Sequence, residues 1–198
     1  RQAFAAALGS RADRVLRWAP ARLAQEYIYA RKGDEFDYWA SVASEALARG
    51  GADADLDAFL EHLRCVAMWT RGAIHARLAC LEAYTAKVER NRPLNDWELV
   101  TIGLAAGDAG ELARGVEYLR RSYAASRTTN GPSHPRTLEM RGYLCKGLTD
   151  YGDLDAALAE CEAALREATA VAGDNPAVVG RLRQFFGTTL RLLHRHDE

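Results

Sequence analysis

A pattern of glycine, apolar and small residues recurs along this chain, and an internal repeat constrains the fold more than any other feature of a sequence. Gly110-Glu-Leu112-Ala-Arg-Gly115-Val116-Glu-Tyr-Leu119-Arg-Arg-Ser122 aligns without a gap on Gly152-Asp-Leu154-Asp-Ala-Ala157-Leu158-Ala-Glu-Cys161-Glu-Ala-Ala164, at an offset of 42 residues. Gly72-Ala-Ile74-His-Ala-Arg77-Leu78-Ala-Cys-Leu81-Glu-Ala-Tyr84 follows at an offset of 38, with Arg77 and Tyr84 at the two small positions. Gly33-Asp-Glu-Phe36 fits if its turn holds one extra residue.

Each unit reads as two antiparallel helices. The glycine supplies the left-handed residue that ends a helix, a conformation costly for other residues. The small residues Gly115, Ser122, Ala157 and Ala164 let the two helices approach, and the apolar residues between them fill the seam. One such pair cannot bury its apolar face alone, so the pairs must stack. Strand alternation is nearly absent, Ala and Leu dominate, and the prolines at 20, 93, 132, 135 and 176 read as punctuation between helices. A helix is expected over 11–19, with Pro20 opening the next.

The positions Leu144, Cys145, Leu148, Gly152, Leu154, Ala157, Cys161 and Ala164, and their counterparts Ile102, Gly103, Ala106, Gly110, Leu112, Gly115, Leu119 and Ser122, resemble the signature of the tetratricopeptide repeat family. The connector Gly131-Pro132-Ser133-His134-Pro135-Arg136-Thr137-Leu138 is similar to the linker of the long, kinesin-light-chain-like subclass found in bacterial multidomain proteins. In that linker His134 is read as a turn or capping residue. In the next linker Asn175 is read as an N-cap and Pro176 as the first helical residue. The resemblance implies an all-α fold, an α-solenoid in which helix pairs form a right-handed superhelix. The expected layout is divergent N-terminal helices over 1–34, then one solenoid domain over 35–198. Its repeats run over about 35–52, 55–90, 96–128, 135–172 and a truncated 176–198. Both ends fall inside the pattern, which predicts a piece of a longer polypeptide.

The function implied is a scaffold that binds a protein, a peptide or another domain of its own chain, as the sensor region of a larger signalling or regulatory protein. A receptor for a small molecule or signalling peptide and a self-assembly module that makes homo-oligomers are the alternatives. In the family the first helix of each pair lines a concave face. Carried over by register, that face holds Phe59, His62, Val66 and Trp69, then Trp97, Val100, Leu104 and Asp108. It continues through Glu139, Lys146 and Asp150 to Arg181, Gln184, Thr188 and Arg191. The partner-binding set is Phe59, His62, Trp69, Trp97, Lys146, Arg181, Gln184 and Arg191, because aromatic and Arg side chains are the usual anchors of recognition. A matching ligand is a peptide with an apolar side chain and an acidic group. The Lys/Asn set of the carboxylate-clamp repeats is not reproduced.

Chemistry of other kinds finds little footing. The net charge is −1, which gives no electrostatic reason to expect nucleic acid or an acidic membrane surface. No phosphate-binding loop, nucleophile elbow or metal-ligand spacing occurs, so no enzyme, cofactor or metal is expected. His194-Arg-His196-Asp197 looks like a ligand cluster but straddles a turn, and residues two apart on a helix do not share a face. Asp108 and Asp150 recur before two turns and read as helix-end polar residues. Cys65, Cys80, Cys145 and Cys161 form no Cys-x-x-Cys pair, and Cys145 and Cys161 fall where helices pack. They are read as small buried thiols kept reduced in a cytoplasmic protein. The abundance of Arg, Ala and Gly, with only three lysines, suits a GC-rich bacterial genome.

Overall fold

In the computed structural model, residues 13–171 and 176–194 are described, with helices and turns and no strand among them. The helices are α1 (Asp13–Tyr29), α2 (Gly33–Gly50), α3 (Ala54–Ala67), α4 (Ile74–Glu89), α5 (Asp96–Asp108), α6 (Leu112–Asn130), α7 (Pro135–Tyr151), α8 (Leu154–Val171) and α9 (Pro176–His194). A four-residue 3₁₀ turn, Met68–Arg71, extends α3. The first two residues of the helix expected over 11–19, and the features expected at Asn175 and His196, lie outside the described residues. None of the described helices is long and apolar enough to cross a membrane.

The turns between paired helices are four copies of one motif. Lys32, Ala73, Glu111 and Asp153 donate their backbone N–H to Tyr27, Met68, Ala106 and Leu148 at 2.9–3.1 Å. The residue before each donor bonds one carbonyl further on: Arg31 to Ile28, Gly72 to Trp69, Gly110 to Gly107, Gly152 to Thr149. This is the double bond of a Schellman cap, which satisfies the orphan carbonyls of a helix end. Gly72, Gly110 and Gly152 are left-handed as the repeat predicts, with φ of 68°, 87° and 92°. The fourth cap corrects the sequence reading. Arg31, at φ 55°, takes the left-handed position, while Gly33 is the first residue of α2.

Helix starts follow their sequence signals. Asn95 caps α5 in a capping box with Glu98, and Arg92 grips the buried Glu98 carboxylate at 2.7 and 2.8 Å. His134 caps α7 through Nδ1, which accepts from the Arg136 N–H at 3.1 Å, and Pro135 is the first helical residue. Pro20 departs from expectation. It lies inside α1 rather than opening a helix. Its missing N–H costs one helical bond, but Ala19, Ala21 and Ala24 around it are buried, and tertiary packing overrides local propensity.

The chain divides into two compact units, 1–86 and 87–198. In the first, α1 packs on α2, and both pack on α3. Ala24, Ile28, Phe36, Ala40, Leu63 and Ala67 form one apolar cluster; Ala21, Ala43, Leu56 and Leu60 form a second. Arg77 and Tyr84, at the small positions of α4, are buried.

In the second unit α5 packs on α6, α6 on α7, α7 on α8, and α9 on both α8 and α7. The first helices α5, α7 and α9 therefore lie side by side, because α5 also meets α7. Val100, Val116, Leu119, Met140, Leu144 and Leu148 fill the core between the first two pairs. Leu138, Ala164, Ala168, Val178 and Leu182 fill it between the next two helices and α9. The expected small contacts hold: Ser122, Ala157 and Ala164 are fully buried, and Gly115 lies against Gly103.

The cysteines correct the sequence reading most sharply. They are not separate reduced thiols. Cys65 is bonded to Cys80 and Cys145 to Cys161, each pair with Cα atoms 5.4 Å apart. Each disulfide ties the first helix of a pair to its second. Sequence separations of 15 and 16 say little by themselves, but folding back at the intervening turn brings such positions face to face.

Candidate functional site

Along α7, Arg136, Glu139, Tyr143, Lys146 and Asp150 recur at steps of three and four, so they share one helix face. That face meets Asp96 and Trp97 at the start of α5, and Arg181 and Phe185 on α9. The result is a continuous ladder of aromatic and ionic groups across the three first helices.

The ladder begins at Asp96. Arg136 donates to its carboxylate through Nε at 2.9 Å and Nη2 at 3.0 Å, a bidentate grip. Burial of the Asp96 side chain, only 16% exposed, pushes its pKa up; the Arg136 hydrogen bonds and charge, helped by Ser126 and a backbone N–H, outweigh it and hold the carboxyl below its usual value. The same guanidinium lies 4.8 Å over the Trp97 ring. Glu139 stands 4.0 Å from Arg136 and pairs with Arg181 from the other side. Arg181 also donates to the Tyr143 hydroxyl at 2.8 Å. Tyr143 is the centre rung, with ring centroids 6.0 Å from Trp97 and 5.8 Å from Phe185. These spacings are those of edge-on and tilted aromatic pairs. Trp97, Tyr143 and Phe185 are half-buried.

Beyond the ladder, Leu104, Asp108, Lys146 and Asp150, with Gly115 and Val116 of α6, line a dent of about 20 Å³. Lys146 is paired with Asp150 one turn along its own helix. A dent of this size holds a water rather than an organic ligand, whose sites run to about 300 Å³ and more.

The first unit shows related chemistry on its first helices. Trp18 of α1 and Phe59 of α3 meet with centroids 5.5 Å apart, and Arg22 lies 4.6 Å over the Phe59 ring. The Trp18 indole N–H donates to Asp53 at 3.2 Å.

The expected binding residues do not gather in one place. Trp97 and Arg181 belong to the ladder, and Phe59 to the α1–α3 cluster. Lys146 lines the dent, Gln184 and Arg191 are exposed on α9, and Trp69 is 38% exposed with Arg31 4.5 Å over its ring. His62 is different: it is buried 5.2 Å from the Tyr84 ring. Val100 is likewise core, because the buried face of α5 extends across Leu99, Val100, Ile102 and Gly103. Sequence reasoning missed Arg136, Tyr143 and Phe185. The signal was present, since Arg136 and Tyr143 complete the face already marked by Glu139, Lys146 and Asp150.

On the far side of the same helix, Arg141 joins α7 to α8 through Glu160 at 2.6 Å and Glu167 at 2.9 Å. Its burial disfavours the cation, but the Glu160 hydrogen bond and charge, with Tyr123 and Glu167, raise its pKa above the ordinary value. This network holds two helices together. Among the described residues no group of three or more His, Cys, Asp or Glu side chains converges as metal ligands. No protein-family model matches the chain, and no curated protein is detectably similar to it in sequence.

Proposed function

We propose that this chain is a protein- or peptide-binding scaffold of tetratricopeptide type rather than an enzyme, acting as the interaction region of a larger regulatory protein. The observation that carries this reading is the ladder from Trp97 through Tyr143 to Phe185. It sets half-exposed aromatic rings and guanidinium groups across three neighbouring first helices. Aromatic and Arg side chains held rigid by their neighbours lose little entropy on binding. The four Schellman turns support the repeat nature of the chain, because one backbone solution recurs at each hairpin.

The ligand that fits is a peptide segment offering an apolar side chain to the rings. An acidic group on it would reach the exposed basic residue Arg191, which shares a face of α9 with Arg181 and Gln184. Disulfides are uncommon in the reducing cytoplasm, so the proposal does not carry the expectation of a cytoplasmic location with it.

Selection from a displayed random-peptide library tests the proposal. The wild type should enrich peptides that combine an apolar anchor with Asp, Glu or a free carboxylate. An Arg191→Glu variant, shown by circular dichroism to be folded, should lose them. Enrichment that survives the charge reversal, or no enrichment at all, overturns it.

A further inference from the structure

We propose that the Cys145–Cys161 disulfide is a redox-controlled clasp, whose state sets how tightly α9 seats on the α7–α8 pair. Both cysteines are 0% exposed, on facing sides of α7 and α8 with Cα atoms 5.4 Å apart. One repeat earlier, at the offset of 42 residues, the same two positions hold Gly103 and Leu119. There the helices are so close that a Cβ on Gly103 would stand 3.0 Å from the Leu119 side chain. The hairpin thus needs compact contents at this point. In α5–α6 a glycine makes room; in α7–α8 a covalent bond does.

The covalent solution is reversible. Bonded sulfurs sit about 2 Å apart, whereas non-bonded atoms need about 3.5–4.0 Å. Reduction therefore adds more than an ångström between two fully buried groups in a close-packed interior. What faces the sulfurs is Thr189 of α9. Its hydroxyl lies 3.8 Å from Cys145 Sγ and 4.0 Å from Cys161 Sγ, and it is hydrogen-bonded to Thr149 at 2.7 Å. Expansion of the pair pushes on Thr189 and so on α9. That helix also carries Arg181 and Phe185, and its displacement opens one end of the ladder.

The chemistry is thiol–disulfide exchange with a dithiol. A thiolate of the dithiol attacks one sulfur and releases the other cysteine as a thiolate. The second thiolate of the dithiol then breaks the mixed disulfide. The cysteines gain two electrons and two protons, and the dithiol leaves as its own disulfide. Because both sulfurs are shielded, the reaction proceeds through local opening of α9.

The test is hydrogen exchange of peptides from 176–194 in the full chain, before and after dithiothreitol, with mass spectrometry counting the hydrogens gained. Reduction should speed exchange in α9 by about tenfold or more. Reoxidation with a small-molecule disulfide should restore protection. The same response in a Cys65→Ala/Cys80→Ala variant assigns it to the clasp. A Cys145→Gly/Cys161→Leu variant, which copies the Gly103–Leu119 solution, should stay protected in both conditions. Unchanged α9 exchange in fully reduced wild type overturns the proposal, even if the variants fail to fold. So does finding all four cysteines as thiols after treatment with the small-molecule disulfide.

Discussion

Gly115 of α6 packs directly on the backbone of Gly103 of α5: a Cβ at Gly115 would lie 2.9 Å from the Gly103 carbonyl oxygen and 3.2 Å from the Gly107 nitrogen. The obstacle is main chain, which cannot swing aside as a side chain can. Gly115→Ala should therefore destabilise the chain by about 1–3 kcal/mol, even though alanine is the better helix former. Gly187 of α9 is the control, since a Cβ there meets nothing within 4 Å. Gly187→Ala should stabilise by about 0.5–1 kcal/mol. Urea denaturation of the two variants beside wild type checks both signs.

The hydroxyls of Thr149 and Thr189 meet at 2.7 Å in the interior, and each also lies within reach of its own helix carbonyl four residues back. One hydroxyl can donate along its helix while the other donates across to it. Replacing either by Val should cost about 1 kcal/mol by leaving its partner short of a hydrogen bond. The double variant Thr149→Val/Thr189→Val should cost less than the two singles together. A double-mutant cycle by chemical denaturation reads the coupling, expected at about 0.5–1.5 kcal/mol. Additive losses would contradict the contact.

Much of this fold is legible in the sequence because it rests on local chemistry. Gly72, Gly110 and Gly152 announce their turns, and the linker octet announces the cap at His134 and the start at Pro135. Arg31 was not legible as a cap, because a left-handed arginine leaves no compositional mark; its guanidinium packs on Trp69, a contact far away in sequence. The disulfides were hidden for a similar reason: their pairing depends on the register of two helices across a turn. The site was half visible. Trp97 and Arg181 follow from the helical register, whereas His62 and Val100 show how a rotation of one position moves a residue from the wall to the core.

Asp96 gives the ladder a pH dependence of defined sign. Its folded pKa is depressed below its ordinary value near 3.8, so its contribution to stability is present above that value and fades as the pH falls through the folded pKa. Asp96→Asn removes this contribution. Wild type should exceed the variant in stability at neutral pH, and the gap should narrow as the solution is acidified below about pH 4. Denaturation midpoints at a series of acid pH values check it; a gap that widens on acidification would contradict the Arg136–Asp96 pairing.

The central claim is that the ladder recognises a peptide, and the most direct measurement follows the Trp97 indole and the ladder amides by NMR. A peptide from the library selection would be titrated into isotopically labelled chain. Saturable shifts are expected at Trp97, Tyr143, Arg181 and Phe185, with their loss in a folded Tyr143→Ala/Phe185→Ala variant. Saturable shifts confined to other surfaces, or unchanged affinity in that variant, would contradict it.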